Sequence, residues 1–165
     1  MRRLLFALPA LLAACTSPPP DAPPGPPRVH AFRLLPGQDL KAGIERFAVE
    51  HDIEAGWVAT GVGSLTDYTL RFADRPDGSS GSGRFEIVAL SGTVSRHGCH
   101  LHLAISDADG RTIGGHLLPG CRVYTTAEIV LGESPAHVFT RAVDGSTPWA
   151  ELQIGWRRGG RTGNP

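Results

Sequence analysis

Residues 95–121 (SRHGCHLHLAISDADGRTIGGHLLPGC) constrain the fold most, because they predict a hairpin of two antiparallel strands. Residues 99–106 alternate in polarity and have the apolar content of a half-buried strand. The sequence DADG at 107–110 is typical of a turn, and residues 112–118 then run back along the first strand. A reversal centred near Asp109 makes the two segments neighbours in one sheet.

Four of the seven histidines lie in this hairpin. The predicted register places His102 opposite His116, where facing Cβ atoms are roughly 5 Å apart. His100 precedes His102 by two residues and therefore lies on the same face. Three neutral imidazoles with an open fourth position are a common zinc arrangement, so we predict that these three residues bind zinc. The alternative is a polar cluster without a metal. His97, beyond Gly98, falls outside the register and is interpreted as a loop residue.

Few other side chains could take part in chemistry at this site. Gly114 and Gly115 place no side chain beside His116, which leaves room for a small-molecule ligand. Glu86 and Glu128 are predicted on strands and could reach the histidines as an acid or a base. The alternative is that each glutamate pairs with an arginine in a purely structural role.

The first residues of the chain predict export. Two arginines precede an apolar stretch of eleven residues, 4–14, which is too short to span a bilayer as a helix. The junction LAAC at 12–15 resembles the bacterial lipoprotein signal, which implies cleavage before Cys15 and lipidation of that cysteine. Thr16 and Ser17 follow instead of the aspartate associated with inner-membrane retention, so we expect an outer-membrane lipoprotein facing the periplasm. An ordinary secretory signal with a chance cysteine is the alternative.

The rest of the chain divides into a tether, one domain and a tail. Residues 15–27 contain seven prolines, a composition that favours an extended spacer. Residues 28–154 suffice for one domain, and the glycine- and arginine-rich residues 155–165 are predicted to be disordered. Without Arg2 and Arg3 the chain has 14 basic and 16 acidic residues. This net charge of −2 does not indicate the basic surface that binds nucleic acid. In an exported protein Cys99 and Cys121 could form a disulfide; two small buried apolar residues are the alternative.

The periodicity of the predicted domain indicates one helix among many strands. Asp39 is a plausible N-cap for a helix that begins at Leu40 and ends near His51. Strands are predicted at 29–35, 55–62, 65–72, 84–94 and 122–131, with a turn at Gly63-Ser64 and a polar loop at 74–83. Two more strands, 136–142 and 150–154, are expected to close the sheet. This pattern predicts an α+β fold with a mainly antiparallel sheet.

Several segments together resemble the plants-and-prokaryotes-conserved (PPC) domain family. They are RVHAFRLLPGQDL, ATGVGSLTDYTLRF, GRFEIVALSGTVS, HLHLAISDADGRTIGGHLLPGC and TTAEIVLGE, and they cover nearly all of residues 28–154. The resemblance implies a sheet with a flanking helix and usually a homotrimer. In plants the domain follows AT-hook motifs of nuclear DNA-binding proteins. This sequence has no Arg-Gly-Arg-Pro core, so we do not expect it to bind DNA.

The histidine hairpin also resembles the zinc site of acetolactate decarboxylase. The match is confined to the His-x-His and Gly-Gly-His elements, and it implies zinc ligation by His100, His102 and His116. The predicted function is therefore an exported, lipid-anchored PPC domain with a three-histidine site for zinc or a small ligand. The alternative is a zinc-dependent lyase or hydrolase that acts on a small carbonyl or carboxylate compound.

Overall fold

An antiparallel sheet of six strands and one helix form most of the structure, a computed structural model that describes residues 25–157. The elements are β1 (Arg28–Leu34), α1 (Leu40–Glu50), β2 (Gly56–Arg71), β3 (Ser79–Ser95), β4 (Gly98–Ser106), β5 (Thr112–Leu117), β6 (Arg122–Glu133), β7 (His137–Ala142) and β8 (Glu151–Trp156). The predicted α+β class with a mainly antiparallel sheet is confirmed. The predicted signal peptide, the lipidated Cys15 and parts of the tether and the tail lie outside the described residues. In the described part, no helix is both long and apolar enough to cross a membrane.

The six strands are ordered β1-β6-β2-β3-β4-β5, and the end of β2 also pairs with β5. This extra pairing curls the sheet, so that β2, β3, β4 and β5 form a closed circuit. The curled sheet and the helix enclose the apolar core, in which β4 shows the expected alternation of buried leucine and exposed histidine. The core comprises Leu34, Leu40, Ile44, Ala48, Ile53, Val58, Leu65, Leu70, Ile87, Leu90, Val94, Leu101, Leu103, Ile105, Leu117, Cys121, Val123, Ala127, Ile129 and Leu131.

Helix α1 begins where the sequence predicts. The Asp39 carboxylate accepts a hydrogen bond from the Ala42 backbone N–H at 2.9 Å, which satisfies one of the free donors of the first turn. Leu40, Ile44 and Ala48 recur every four residues and are fully buried, so one face of the helix covers the sheet. The helix therefore forms part of the core.

The structure corrects the predicted boundary inside β2. The sequence predicts two strands, 55–62 and 65–72, with a turn at Gly63-Ser64, whereas β2 runs without reversal from Gly56 to Arg71. Gly63 has φ +143°, and a Cβ there would lie 2.1 Å from the Thr126 carbonyl oxygen. The glycine thus allows a close approach and a register shift between β2 and β6, and it does not form a hairpin turn.

Two further predictions were wrong. Residues 79–83, predicted as part of a polar loop, form the start of β3, and residues 79–82 pair with β2. The last two strands were expected to close the main sheet, but β7 and β8 form a separate two-stranded sheet. The glycines and serines of residues 79–83 lack the side-chain pattern typical of a strand. This segment nevertheless forms a strand because it pairs with the long strand β2.

Candidate metal site

The hairpin β4–β5 has the predicted register and brings three histidines together. His102 and His116 are direct cross-strand partners, and His100 projects from the same face of β4. The Nε2 atom of His100 lies 3.0 Å from Nδ1 of His116 and 3.2 Å from Nε2 of His102. One nitrogen from each ring can be chosen so that all three lie within 4.8 Å of one another.

The donor chemistry of this cluster suits a metal ion. A ring nitrogen carries either one hydrogen or one lone pair, so Nε2 of His100 cannot make two well-aligned hydrogen bonds to its two neighbours. Three lone pairs that converge on one cation avoid this conflict. Zinc–nitrogen bonds of about 2.0–2.1 Å in a tetrahedral site place ligand nitrogens about 3.3 Å apart, close to the observed separations. Imidazole nitrogen is also suited to copper, iron and nickel.

The surroundings favour neutral imidazoles. Burial lowers the pKa of His100 and of His116 below the ordinary value of 6.5. Nearby guanidinium groups act in the same direction, Arg141 on the pKa of His100 and Arg71 on the pKa of His116. Because metal binding requires the neutral form, these positive neighbours keep the rings ready to act as ligands at neutral pH.

His97 lies apart from this cluster, on the turn between β3 and β4. Its Nε2 atom is 3.1 Å from the carboxylate of Glu54, and its backbone N–H donates to the Ser95 hydroxyl. These contacts agree with its interpretation as a loop residue.

The structure does not bring Glu86 or Glu128 to the histidines. Glu86 pairs with Ser106, four residues along β4 from His102, a separation of about 13 Å. Glu128 lies on β6, three strands from β4, or about 14 Å along the sheet. Both side chains are exposed, and within residues 25–157 neither has an arginine within 4.0 Å. The alternative, in which each glutamate pairs with an arginine, is therefore not observed in residues 25–157 either.

Cys99 and Cys121 are free thiols, so the disulfide that the sequence left open is not formed. After Leu117, the last residue of β5, the chain no longer runs beside β4. Cys121 is buried beside Thr69 of β2, and the backbone nitrogen of Thr69 lies 3.3 Å from the Cys121 sulfur. Cys99 instead contacts the Glu45 carboxylate at 3.1 Å. Burial is the main cause that raises the pKa of Cys99 to about 12 and that of Cys121 to about 11. Both are therefore protonated, unreactive thiols at neutral pH.

Sequence reasoning missed a row of side chains across four strands. Arg71 of β2 is the cross-strand partner of His116, and Ser91 of β3 is the partner of His102. The row thus reads Arg71, His116, His102, Ser91 across the outer face. No local motif could have revealed it, because β2 meets β5 only through the curl of the sheet.

A cavity of about 440 Å³ opens beside this row. Small residues form much of its wall, and among the lining residues in the described range 25–157 only Arg71 has a permanent charge. Gly115 lets β5 approach β2, since a Cβ there would lie 2.6 Å from the Arg71 carbonyl oxygen. The lining consists of Arg71, Ala73, Ala89, Ser91, His102, Leu103, Ala104, Gly114, Gly115 and His116.

The small sheet β7–β8 also reaches this region. Arg141 of β7 donates a hydrogen bond of 2.8 Å to the hydroxyl of Thr93, and Thr93 is the cross-strand partner of His100. Glu151 of β8 acts on His100 in the opposite electrostatic sense to Arg141. Neither Arg141 nor Glu151 belongs to a sequence motif that predicts this position, because their approach to His100 depends on how the second sheet packs.

Fold and sequence together define the class of protein. The chain belongs to the family of the Plants and Prokaryotes Conserved (PCC) domain, whose model matches residues 22–135. This confirms the family resemblance drawn from the sequence. The match ends before the sheet β7–β8, which begins at His137.

Particular relatives agree with this assignment. A hypothetical protein from Salmonella superimposes with a TM-score of 0.78 and 42% identity, covering 83% of this chain and 99% of the relative. A metal-containing protein from Archaeoglobus fulgidus has a TM-score of 0.66 and 26% identity, covering 79% and 95%. The bifunctional protein GlmU of Synechococcus sp. (strain JA-3-3Ab) is 51% identical over 142 residues. That match covers 86% of this chain and only 23% of GlmU.

Proposed function

We propose that the chain binds a zinc ion through His100, His102 and His116. The observation that carries this proposal is the convergence of three ring nitrogens at separations of 3.0 and 3.2 Å around His100. The metal-containing relative from Archaeoglobus fulgidus supports it. When bound, zinc with an open fourth position would supply Lewis acidity to water or to a carbonyl oxygen.

The chain's own residues define what else the site does. The strands β4 and β5 hold the rings in position, because the backbone of each is fixed by ladder hydrogen bonds and by buried neighbours such as Leu103 and Leu117. The cavity beside His102 and His116 offers a place for a small molecule next to the open position. This cavity favours the second candidate function, a zinc-dependent lyase or hydrolase for a small carbonyl or carboxylate compound.

Elemental analysis of the purified protein tests the metal. We expect about one zinc per chain in the wild type and none in a variant with all three histidines changed to alanine. The matched control is His97→Ala, which removes an imidazole from the neighbouring turn and should keep its metal. A wild type without metal would refute the proposal, as would equal metal content in the triple variant.

We further propose that the protein is exported and anchored by lipid at Cys15. The supports are the LAAC junction and the apolar stretch before it. Two acyl signals are normally needed for stable anchoring, and a lipidated N-terminal cysteine would supply them. The proline-rich residues that follow would hold the domain away from the membrane surface.

We also propose that the domain forms a homotrimer. The family resemblance implies this assembly, and the central strands expose large apolar side chains that another copy could cover. Val62 of β2 and Val88 of β3 are each 53% exposed, and Trp57 and Tyr124 are exposed on β2 and β6. Exposed apolar surface of this kind is typical of interaction sites.

A further inference from the structure

Two arginines lie near the proposed metal position: Arg141, which donates to the Thr93 hydroxyl, and Arg71. As the cross-strand partner of His116, Arg71 shares the face of the sheet that carries the three histidines, with a Cβ–Cβ separation of roughly 5 Å. The half-buried Arg71 lines the cavity, and its charge contributes to the lowered pKa of His116.

This guanidinium has no acidic partner in the described part of the chain. Within residues 25–157 no carboxylate oxygen lies within 4.0 Å of it, whereas Arg96 pairs with Asp52 and Arg111 with Asp109. Three neutral imidazoles bring no negative charge to a divalent ion, and the charged residues of the small sheet, Arg141 and Glu151, act on His100 in opposite senses. The ion and Arg71 would therefore repel each other unless an anion lay between them.

The cavity wall shows what kind of anion fits. Ala73, Ala89, Ala104 and Gly114 offer small apolar surfaces, and the Ser91 hydroxyl is at the other end of the row. The planar guanidinium matches a carboxylate in a two-pronged hydrogen bond. A cavity of about 440 Å³ accommodates a molecule of several carbon atoms.

We infer that the site takes a short-chain carboxylate, whose anionic group is held between the metal and Arg71 and whose apolar part lies against the alanine wall. This inference rests on the proposed metal site and specifies its ligand. It assigns Arg71 the role of anion-binding residue.

Cobalt(II) in place of zinc makes the inference testable by visible spectroscopy, because its absorption reports the ligand at the open position. The full chain loaded with cobalt is titrated with butyrate, with acetate, with uncharged butyramide and with inorganic phosphate. We expect butyrate to bind more tightly than acetate and butyramide to leave the spectrum unchanged. An equal response to butyramide, or tighter binding of inorganic phosphate than of butyrate, would overturn the carboxylate assignment.

Variants of Arg71 then test the residue. Arg71→Gln should weaken butyrate binding by about 10- to 100-fold, the effect of losing a charge-assisted hydrogen bond. Arg71→Lys keeps the charge without the planar fork and should give a smaller loss. Cobalt affinity of Arg71→Gln should be unchanged or higher at neutral pH, because a repelling charge is gone.

The matched control is Arg33→Gln, an equal change of charge on β1, at the far edge of the strand order from β5. It should bind butyrate as the wild type does. If Arg71→Gln also binds butyrate normally, Arg71 acts only on the histidines and the inference is wrong. A wild type that gives no cobalt spectrum refutes the metal site and, with it, the anion held between metal and arginine.

Discussion

Removing His102 should abolish most of the zinc affinity, whereas removing His97 should not. The Nε2 atom of His102 lies 3.2 Å from Nε2 of His100, and His102 directly faces His116 across the hairpin. His97 instead contacts the Glu54 carboxylate at 3.1 Å on the turn between β3 and β4, and loss of such a partly exposed contact costs about 1 kcal/mol or less. The comparison of His102→Ala with His97→Ala therefore isolates the role in binding.

The magnitude follows from the number of ligands. Substitution of a residue that hydrogen-bonds to a metal ligand typically lowers metal affinity about 10–100-fold. Loss of one of the three ligands themselves should therefore lower zinc affinity about 100-fold or more. With free zinc at about 100 times the wild-type Kd, binding stabilises the folded wild type by about 2.7 kcal/mol. At the same zinc concentration a 100-fold weaker variant gains only about 0.4 kcal/mol. For a domain of this size the difference corresponds to roughly 5–15 °C in the zinc-induced shift of Tm.

Two measurements check this prediction. Competition against a chelator gives the zinc affinity of each variant, and thermal unfolding with and without zinc gives the shift of Tm. The metal-free His102→Ala protein should unfold near the metal-free wild type, because the side chain is exposed. Equal zinc affinity in the two variants would show that His102 is not a ligand and that the register does not define the site.

Other perturbations give distinct outcomes. Gly63→Ala should lower the free energy of unfolding, measured with denaturant, by about 3 kcal/mol, because the new Cβ meets the Thr126 carbonyl oxygen. Gly155→Ala is the control and should change the free energy of unfolding little, since the nearest atom to its Cβ is 3.8 Å away. Zinc affinity should fall on acidification, because protons compete for the ligand nitrogens, and the lowered pKa of His100 and of His116 shifts this loss to lower pH than ordinary imidazoles with a pKa of 6.5 would give; a loss that begins above pH 7 would contradict this. Cys15→Ser should move the protein from membrane to soluble fractions, and unchanged fractionation would exclude this anchor. Light scattering of a chain that begins at Arg28 should give a trimer, and a monomer at micromolar concentration would refute that assembly.

The sequence was sufficient for features that depend on local geometry. Strict alternation in β4 places His100 and His102 on one face, and the turn fixes His116 opposite His102, because strand periodicity and turn length leave one register. Helix α1 was predictable for the same reason. Asp39 is a residue type that caps helices, and the buried residues that follow it recur at helical spacing.

Only the tertiary structure decided which distant residues complete the site. Arg71 reaches His116 because the sheet curls until β2 pairs with β5, a contact between segments 45 residues apart in the chain. The same curl separates Cys121 from Cys99, and the width of the sheet keeps Glu128 away from the histidines. Periodicity specifies which face a side chain occupies; it does not specify which strands become neighbours, since that choice depends on how the whole apolar core is enclosed.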